Sequence, residues 1–177
     1  MTKADDDQVW KDILDDDEHV VWQGRPDAAF VLTPAMIGTA IFAIFFAGFA
    51  LFWMIGASFA GGIFWTFGLL HFGAGIALLV GTLAGPSFIR KRTFYSLTNK
   101  RAFVAKDLPM KGRTLKSYPI TQDTQLEYRE NDKSSVYFST ETHKTDDATI
   151  TKNIGFERIN DAREVLRLMR NIQKGQA

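Results

Sequence analysis

The sequence predicts an α+β protein: a two-helix transmembrane hairpin, then a small β-sandwich or barrel closed by a C-terminal helix. Three observations carry this prediction. Ala28 to Ile89 is a run of 62 residues without one Asp, Glu, Lys or Arg. After Arg92 the chain breaks into short, alternating, β-prone runs separated by turn signals. The last residues form a capped pattern of helical period. The chain therefore divides into residues 1–27, 28–89 and 90–177.

The charge-free run sets the first element. A bilayer core is about 30 Å thick and takes about 20 apolar helical residues to cross. Sixty-two residues are too many for one crossing and fit two joined by a tight turn. The turn is expected at Gly56-Ala57-Ser58-Phe59-Ala60-Gly61-Gly62, where small residues interrupt the large ones. Span one then runs from Pro34 to Ile55, and span two from Ile63 to about Gly85. A helical pair buried in a soluble core is the competing reading, but such cores rarely go this far without a charge.

Charge gives the orientation. Net charge is +1, yet residues 1–27 hold nine acids against three bases, and residues 90–116 hold nine bases against Asp107 alone. Short segments rich in Lys and Arg stay on the cytoplasmic side. Arg90-Lys91-Arg92, at the exit of span two, places the C-terminal part in the cytoplasm. Two spans return the N-terminus to the same side. The expected location is the cell inner membrane, two-pass, with both termini inside. The acidic start, Asp5-Asp6-Asp7, is unlike a secretory signal. Absence of cysteine excludes disulfides, zinc-thiolate sites and a cysteine nucleophile.

Before the hairpin, Val9, Trp10, Ile13 and Leu14 share one helical face, predicting a short amphipathic helix from about Asp6 to Asp15. It would pack on the domain or lie at the interface. No Asp-x-Asp-x-Asp-Gly loop accompanies its aspartates, so a cation site is not expected. Val20, Val21 and Trp22 suggest a strand, which Gly24 to Pro26 turn toward the membrane.

Within the spans, Gly81-Thr82-Leu83-Ala84-Gly85 is a Gly-x-x-x-Gly face that lets helices approach closely. Packing span two on span one is its simplest use, and homo-oligomerisation through the Gly-rich span is the sharper one. His71 is the only titratable group in the run. An intramembrane ionisable group is a functional candidate, but without acids or bases to relay protons a hydrogen bond to a carbonyl is the simpler role.

After the hairpin, Phe94 to Leu97 and Arg101 to Lys106 read as strands joined by Thr98-Asn99-Lys100. A loop follows at Leu108 to Gly112. Thr114 to Pro119, Gln125 to Arg129 and Val136 to Ser139 continue the pattern. Thr142 to Asp147 reads as a polar loop, with further strands at Thr149 to Thr151 and near Gly155-Phe156. Asp161 and Glu164 form a capping box. Ala162, Val165, Leu166, Met169 and Ile172 supply the apolar face of the last helix.

Trp22-Gln23-Gly24-Arg25-Pro26, and Tyr95-Ser96-Leu97-Thr98-Asn99-Lys100-Arg101 after the hairpin, resemble bacterial membrane-anchored pleckstrin-homology-like proteins. Ser117-Tyr118-Pro119-Ile120 and the Phe156 to Ala162 stretch add to the resemblance. It implies a bent, seven-stranded sandwich with a C-terminal helix. It also implies a noncatalytic module that binds proteins, lipids or itself. Trp22, Gly24, Arg25, Pro26, Thr98 and Asn99 would be fold residues. Phospholipid-reading relatives place bases around a long first hairpin loop. Here only Asn99 and Lys100 stand at the tip, so no lipid pocket carries over.

The expected partners are membrane lipids and a protein not named by the sequence. Arg90, Lys91, Arg92, Lys100 and Arg101 are candidate contacts for anionic lipid. No catalytic, cofactor or metal residues are predicted, since no Gly-x-Ser-x-Gly, His-Glu-x-x-His or phosphate loop is present. Nucleic acid is set aside, because strand alternation half-buries the aromatics among the bases. A subunit of an oligomeric transporter or channel is the alternative, weakened by the scarcity of polar positions in the spans.

Overall fold

A computed structural model describes residues 10–109, 111–130, 133–145 and 148–176. Residues 6–9 of the helix expected from about Asp6 to Asp15 lie outside them, and residues 11–14 form a turn, the Ile13 and Leu14 amides donating to the Trp10 carbonyl. The chain divides into two compact units, Met1–Asp27 with Arg90–Ala177, and Ala28–Ile89.

The apolar unit is a helical hairpin. Helix α1 spans Pro34–Phe59 and α2 spans Phe67–Lys91. Thr33 caps α1, its hydroxyl accepting the Met36 amide at 3.2 Å, and Pro34 occupies the first turn, where no amide partner is needed. Both helices are long and apolar enough to cross a membrane. Their outward faces carry large apolar side chains: Phe45 and Phe52 are 74% exposed and Leu70 is 76% exposed. A soluble core helix would have buried them, so the competing soluble-core reading does not describe this hairpin.

Two boundaries differ from expectation. Gly56 to Phe59 stay helical, with the Ser58 hydroxyl donating a hydrogen bond to the Ile55 carbonyl at 2.6 Å. Reversal is confined to Ala60–Ile63, where Gly61 and Gly62 adopt φ of 75° and 76°, a region that favours glycine. A single 3₁₀ turn, Phe64–Thr66, leads into α2. At the other end α2 continues through Pro86 to Lys91. Proline forfeits one backbone bond there, a loss that apolar helices commonly tolerate.

The helices meet over small residues. Ala43, Ala47 and Ala50 of α1 and Gly68 and Gly75 of α2 are buried. A Cβ on Gly75 would stand 2.8 Å from the Ala47 Cβ and 3.0 Å from its amide nitrogen. Gly81 and Gly85 meet nothing within 4 Å. The Gly-x-x-x-Gly motif is therefore not the hairpin contact. Gly68 and Gly75, seven apart and so on one helix face, are.

Among the described residues, the second unit is built from seven strands and a helix. Strands β1 (Val20–Gly24), β2 (Thr93–Thr98), β3 (Arg101–Leu108) and β4 (Gly112–Pro119) form one antiparallel sheet in that order. Strands β5 (Glu127–Arg129), β6 (Ser135–Thr145) and β7 (Ala148–Phe156) form a second. Residues 142–145, expected in a loop, continue β6, and β7 is one strand rather than two. The polar composition there misled because an edge hairpin needs no apolar face. Gly155 permits the close pass of β6, since a Cβ would lie 2.3 Å from the Val136 carbonyl.

Helix α3, Ala162–Gln173, buries Ala162, Val165, Met169 and Ile172 against Leu97, Val136, Phe138 and Phe156. This is the face the periodicity predicts. Its cap is not. Asp161 makes no side-chain bond to the first turn, and its carboxylate accepts the indole N–H of Trp22 instead.

Replacing Gly75 by Val should force α1 and α2 apart and cost about 1–3 kcal/mol, the usual range for overpacking. Gly81→Val should leave the hairpin unchanged. Unfolding of both variants in mixed micelles checks this, and equal losses would contradict the assigned contact.

Candidate functional site

The chain on either side of the hairpin converges on β1 and β2. Val20 pairs with Thr98, Gln23 with Ser96 and Gly24 with Tyr95. Two stretches separated by the whole apolar run therefore share one ladder. Three sets of side chains reinforce it.

The first is aromatic. Trp22 stacks on Phe156 at 5.2 Å between centroids, and Tyr95 stacks on Phe156 at 4.8 Å. The bond from Trp22 to Asp161 fixes the indole from the helix side. Gly24 is required by this placement, because a Cβ would fall 2.3 Å from the Trp22 ring. Burial pushes the Tyr95 hydroxyl up beyond its ordinary range, the Glu157 amide opposing it with a hydrogen bond.

The second is the turn between β2 and β3. Asn99 accepts the His19 amide at 3.0 Å and donates to the Asp17 carbonyl at 3.0 Å, while its own amide donates to the His19 carbonyl. Glu18 is fully buried at its side chain. It accepts from Thr98 at 2.6 Å, from Arg101 Nε at 3.1 Å and from the Asp15 amide at 3.2 Å, and Arg101 Nη2 closes a second, charged contact. Burial pushes the Glu18 carboxyl up. The bonds from Arg101, Thr98 and Asp15 outweigh it and hold the group down to about 2. Sequence reasoning gives Glu18 no role, although it opens the Glu18 to Pro26 stretch of the resemblance. Its only signal was an acid beside a β-prone run, with an arginine of opposite charge in the later motif.

The third lies beyond Gly24. Arg25 sits 4.2 Å over the Phe94 ring. Pro26 is buried. The Asp27 amide donates to the Arg158 carbonyl at 2.8 Å, and its carboxylate lies 3.6 Å from Arg158 Nη2. Arg158 holds φ of 55°, unusual for a residue with a Cβ, and its amide is fixed by the Ser135 hydroxyl at 2.9 Å.

The five candidate lipid contacts separate into two groups. Arg90 and Lys91 end α2, where cations suit the negative end of a helix dipole. Arg92 follows, its carbonyl accepting the Asp107 amide at 3.0 Å. Lys100 and Arg101 stand elsewhere, with their charge met inside the fold. Lys100 pairs with Asp17 and Asp15, and Arg101 with Glu18. His71 lies in a cleft of about 450 Å³ within the hairpin, beside Phe46. Its Nδ1 is 3.3 Å from the Phe67 carbonyl, one turn back, a hydrogen bond when that nitrogen carries the proton.

Among the described residues, no group of three or more His, Asp or Glu is arranged to hold a metal ion. Comparison with protein-family models, curated proteins and solved structures finds no match for this chain.

Because the Glu18 carboxyl is depressed, its contribution to stability is complete above about pH 4.5 and is lost as pH falls toward about 2. Glu18→Gln should cost about 3 kcal/mol at neutral pH, since it strands the half-buried Arg101. The difference between wild type and variant should shrink between pH 4.5 and 2 in unfolding titrations of the full chain. A difference that stays constant over that window contradicts the assignment.

Proposed function

We propose that this chain is a membrane-anchored, noncatalytic binding module that recruits a protein partner or engages anionic lipid at the inner face of the cell membrane. One observation carries the reading. β1 and β2 pair in one sheet although the run from Ala28 to Ile89 lies between them. Paired strands share a compartment, so an inserted membrane segment must cross an even number of times. Two helices of 26 and 25 residues meet that condition.

Arg90-Lys91-Arg92 at the end of α2 argues that the shared compartment is the cytoplasm. The same three bases would meet an anionic leaflet there, while Lys100 and Arg101 pair with acids of the N-terminal segment. Each well-placed base there contributes about 1 kcal/mol. The division of seven strands into four and three, closed by α3, supports the pleckstrin-homology-like resemblance. The open face at Gly81 and Gly85 leaves room for a second copy of the hairpin.

The absence of native cysteine makes single-cysteine labelling clean. With an impermeant maleimide on intact cells, Ala60→Cys in the turn should react, whereas Lys11→Cys and Asp123→Cys should react only after lysis. Labelling of Lys11→Cys and Ala60→Cys from the same side would overturn the two-span reading. Replacing Arg90, Lys91 and Arg92 together by Glu should reduce correct insertion or membrane proximity of the sandwich. Unaltered insertion and proximity would remove the role given to those bases. In-cell crosslinking from Asp123→Cys through a bifunctional reagent tests the module itself: a discrete protein adduct or an anionic-lipid adduct agrees with it, and neither contradicts it.

A further inference from the structure

The loop end of the hairpin carries one polar ring that neither the helix contact nor the proposed function uses. His71 stands one turn after the start of α2, in the wall of the cleft of about 450 Å³. Phe46, Phe49, Trp53, Phe64 and Phe67 make most of the remaining wall. Their rings follow one another closely. Trp53 and Phe64 are 5.3 Å apart between centroids, Phe64 and Phe67 5.9 Å, and Phe46 and His71 6.1 Å. Gly68 lies buried in the floor, and a Cβ there would fall 2.0 Å from Met54 Cγ. The helices are already in contact beneath the cleft, so they cannot close it by moving together.

His71 decides what the cleft can hold. The Phe67 carbonyl is an acceptor only, so its contact with Nδ1 at 3.3 Å is a hydrogen bond when Nδ1 carries the proton. In the neutral ring that leaves Nε2 as an acceptor, with no partner among the described residues. An acyl chain lying in the cleft offers no donor and leaves Nε2 unpaired in hydrocarbon, which is unfavourable. A hydroxyl group supplies the missing donor. Aromatic walls favour a flat ring, which packs offset or edge-on against Phe and Trp. The volume admits one ring and part of an apolar tail. With no Asp, Glu, Lys or Arg from Ala28 to Ile89, nothing in the spans balances a charged ligand.

We propose that this cleft binds a membrane-soluble phenol of the hydroquinone class. The ring packs against Phe46, Trp53 and Phe64, the hydroxyl donates to His71 Nε2, and the tail extends into the bilayer. The ligand is uncharged, and its site lies at the opposite end of α2 from Arg90 and Lys91. The inference rests on insertion of the hairpin in a bilayer. Labelling of Ala60→Cys tests insertion by itself, so the two readings can fail separately.

The full chain in phosphatidylcholine nanodiscs, ¹⁵N-labelled at histidine and tryptophan for NMR, provides the test. The probe is para-dodecylphenol, which has the ring, hydroxyl and tail and carries no redox chemistry of a quinone. Its methyl ether, which lacks the donor, is the comparison. As the mole fraction of the phenol in the bilayer rises, the His71 Nε2 and Trp53 indole signals should shift and saturate. Nε2 should move in the direction of a nitrogen accepting a hydrogen bond. The methyl ether should bind about tenfold more weakly, read at Trp53. His71→Phe keeps a ring in place, and it should weaken the phenol about tenfold and abolish its advantage over the ether. Phe45→Leu, on the exposed face of α1 outside the cleft, should change neither. An unaltered helical spectrum shows that His71→Phe folds, and the wild-type comparison of phenol with ether stands without any variant. No saturable shift, equal affinity for phenol and ether, or full phenol affinity in His71→Phe overturns the proposal.

Discussion

Antiparallel pairing of β1 with β2 across the apolar hairpin is the constraint on which the rest of the structure depends. It makes the segment before the hairpin part of the domain after it. It also brings the two ends of the apolar hairpin together. Two helices of nearly equal length satisfy that requirement, about 39 Å and about 38 Å long at the helical rise. The small-residue contact at Ala47 and Gly75 lets the helices run back along one another. Long insertions between paired strands cost little chain entropy when they are themselves ordered and bring their ends together.

Five strand residues make a modest ladder, so β1 needs further attachment. The attachment is chemically mixed. Trp22 contributes apolar area and one indole bond to Asp161, while Glu18 contributes a buried charge satisfied by three donor residues. A buried carboxylate is tolerable only when its acceptor sites are filled. The turn at Thr98 to Arg101 fills them while also binding the backbone of residues 17 and 19 through Asn99. The Thr98-Asn99-Lys100-Arg101 pattern of that turn thus has a physical explanation in one contact with the N-terminal segment.

Much of this was legible in the sequence. The charge-free run gave both helices, and period-two alternation gave most strands near the correct positions. The helical period of Ala162 to Ile172 identified the buried face of α3. What escaped were facts that arise only when distant segments meet. The acids before the hairpin read as solvated, and the bases after it as facing an anionic leaflet. In the folded chain Asp15, Asp17 and Glu18 meet Lys100 and Arg101, so part of that asymmetry is internal. Asp161 read as a cap because its spacing to Glu164 is right, but Trp22, 139 residues away in sequence, claims its carboxylate. Gly81 and Gly85 match a packing motif, yet Gly68 and Gly75 face α1, since a motif carries spacing and no information on which face meets the neighbour.

The most direct test of the β1–β2 pairing uses the cysteine-free background. Gln23→Cys and Ser96→Cys would be introduced together, because these residues are paired in the ladder. Directly opposed strand residues stand about 4.5–5.5 Å apart, within the span of a disulfide. Mild oxidation of isolated membranes should then close a disulfide within a single chain, while Gln23→Cys with Asp123→Cys should give none. Absence of an intrachain bond between positions 23 and 96, or bonds only between chains, would contradict the account at its foundation.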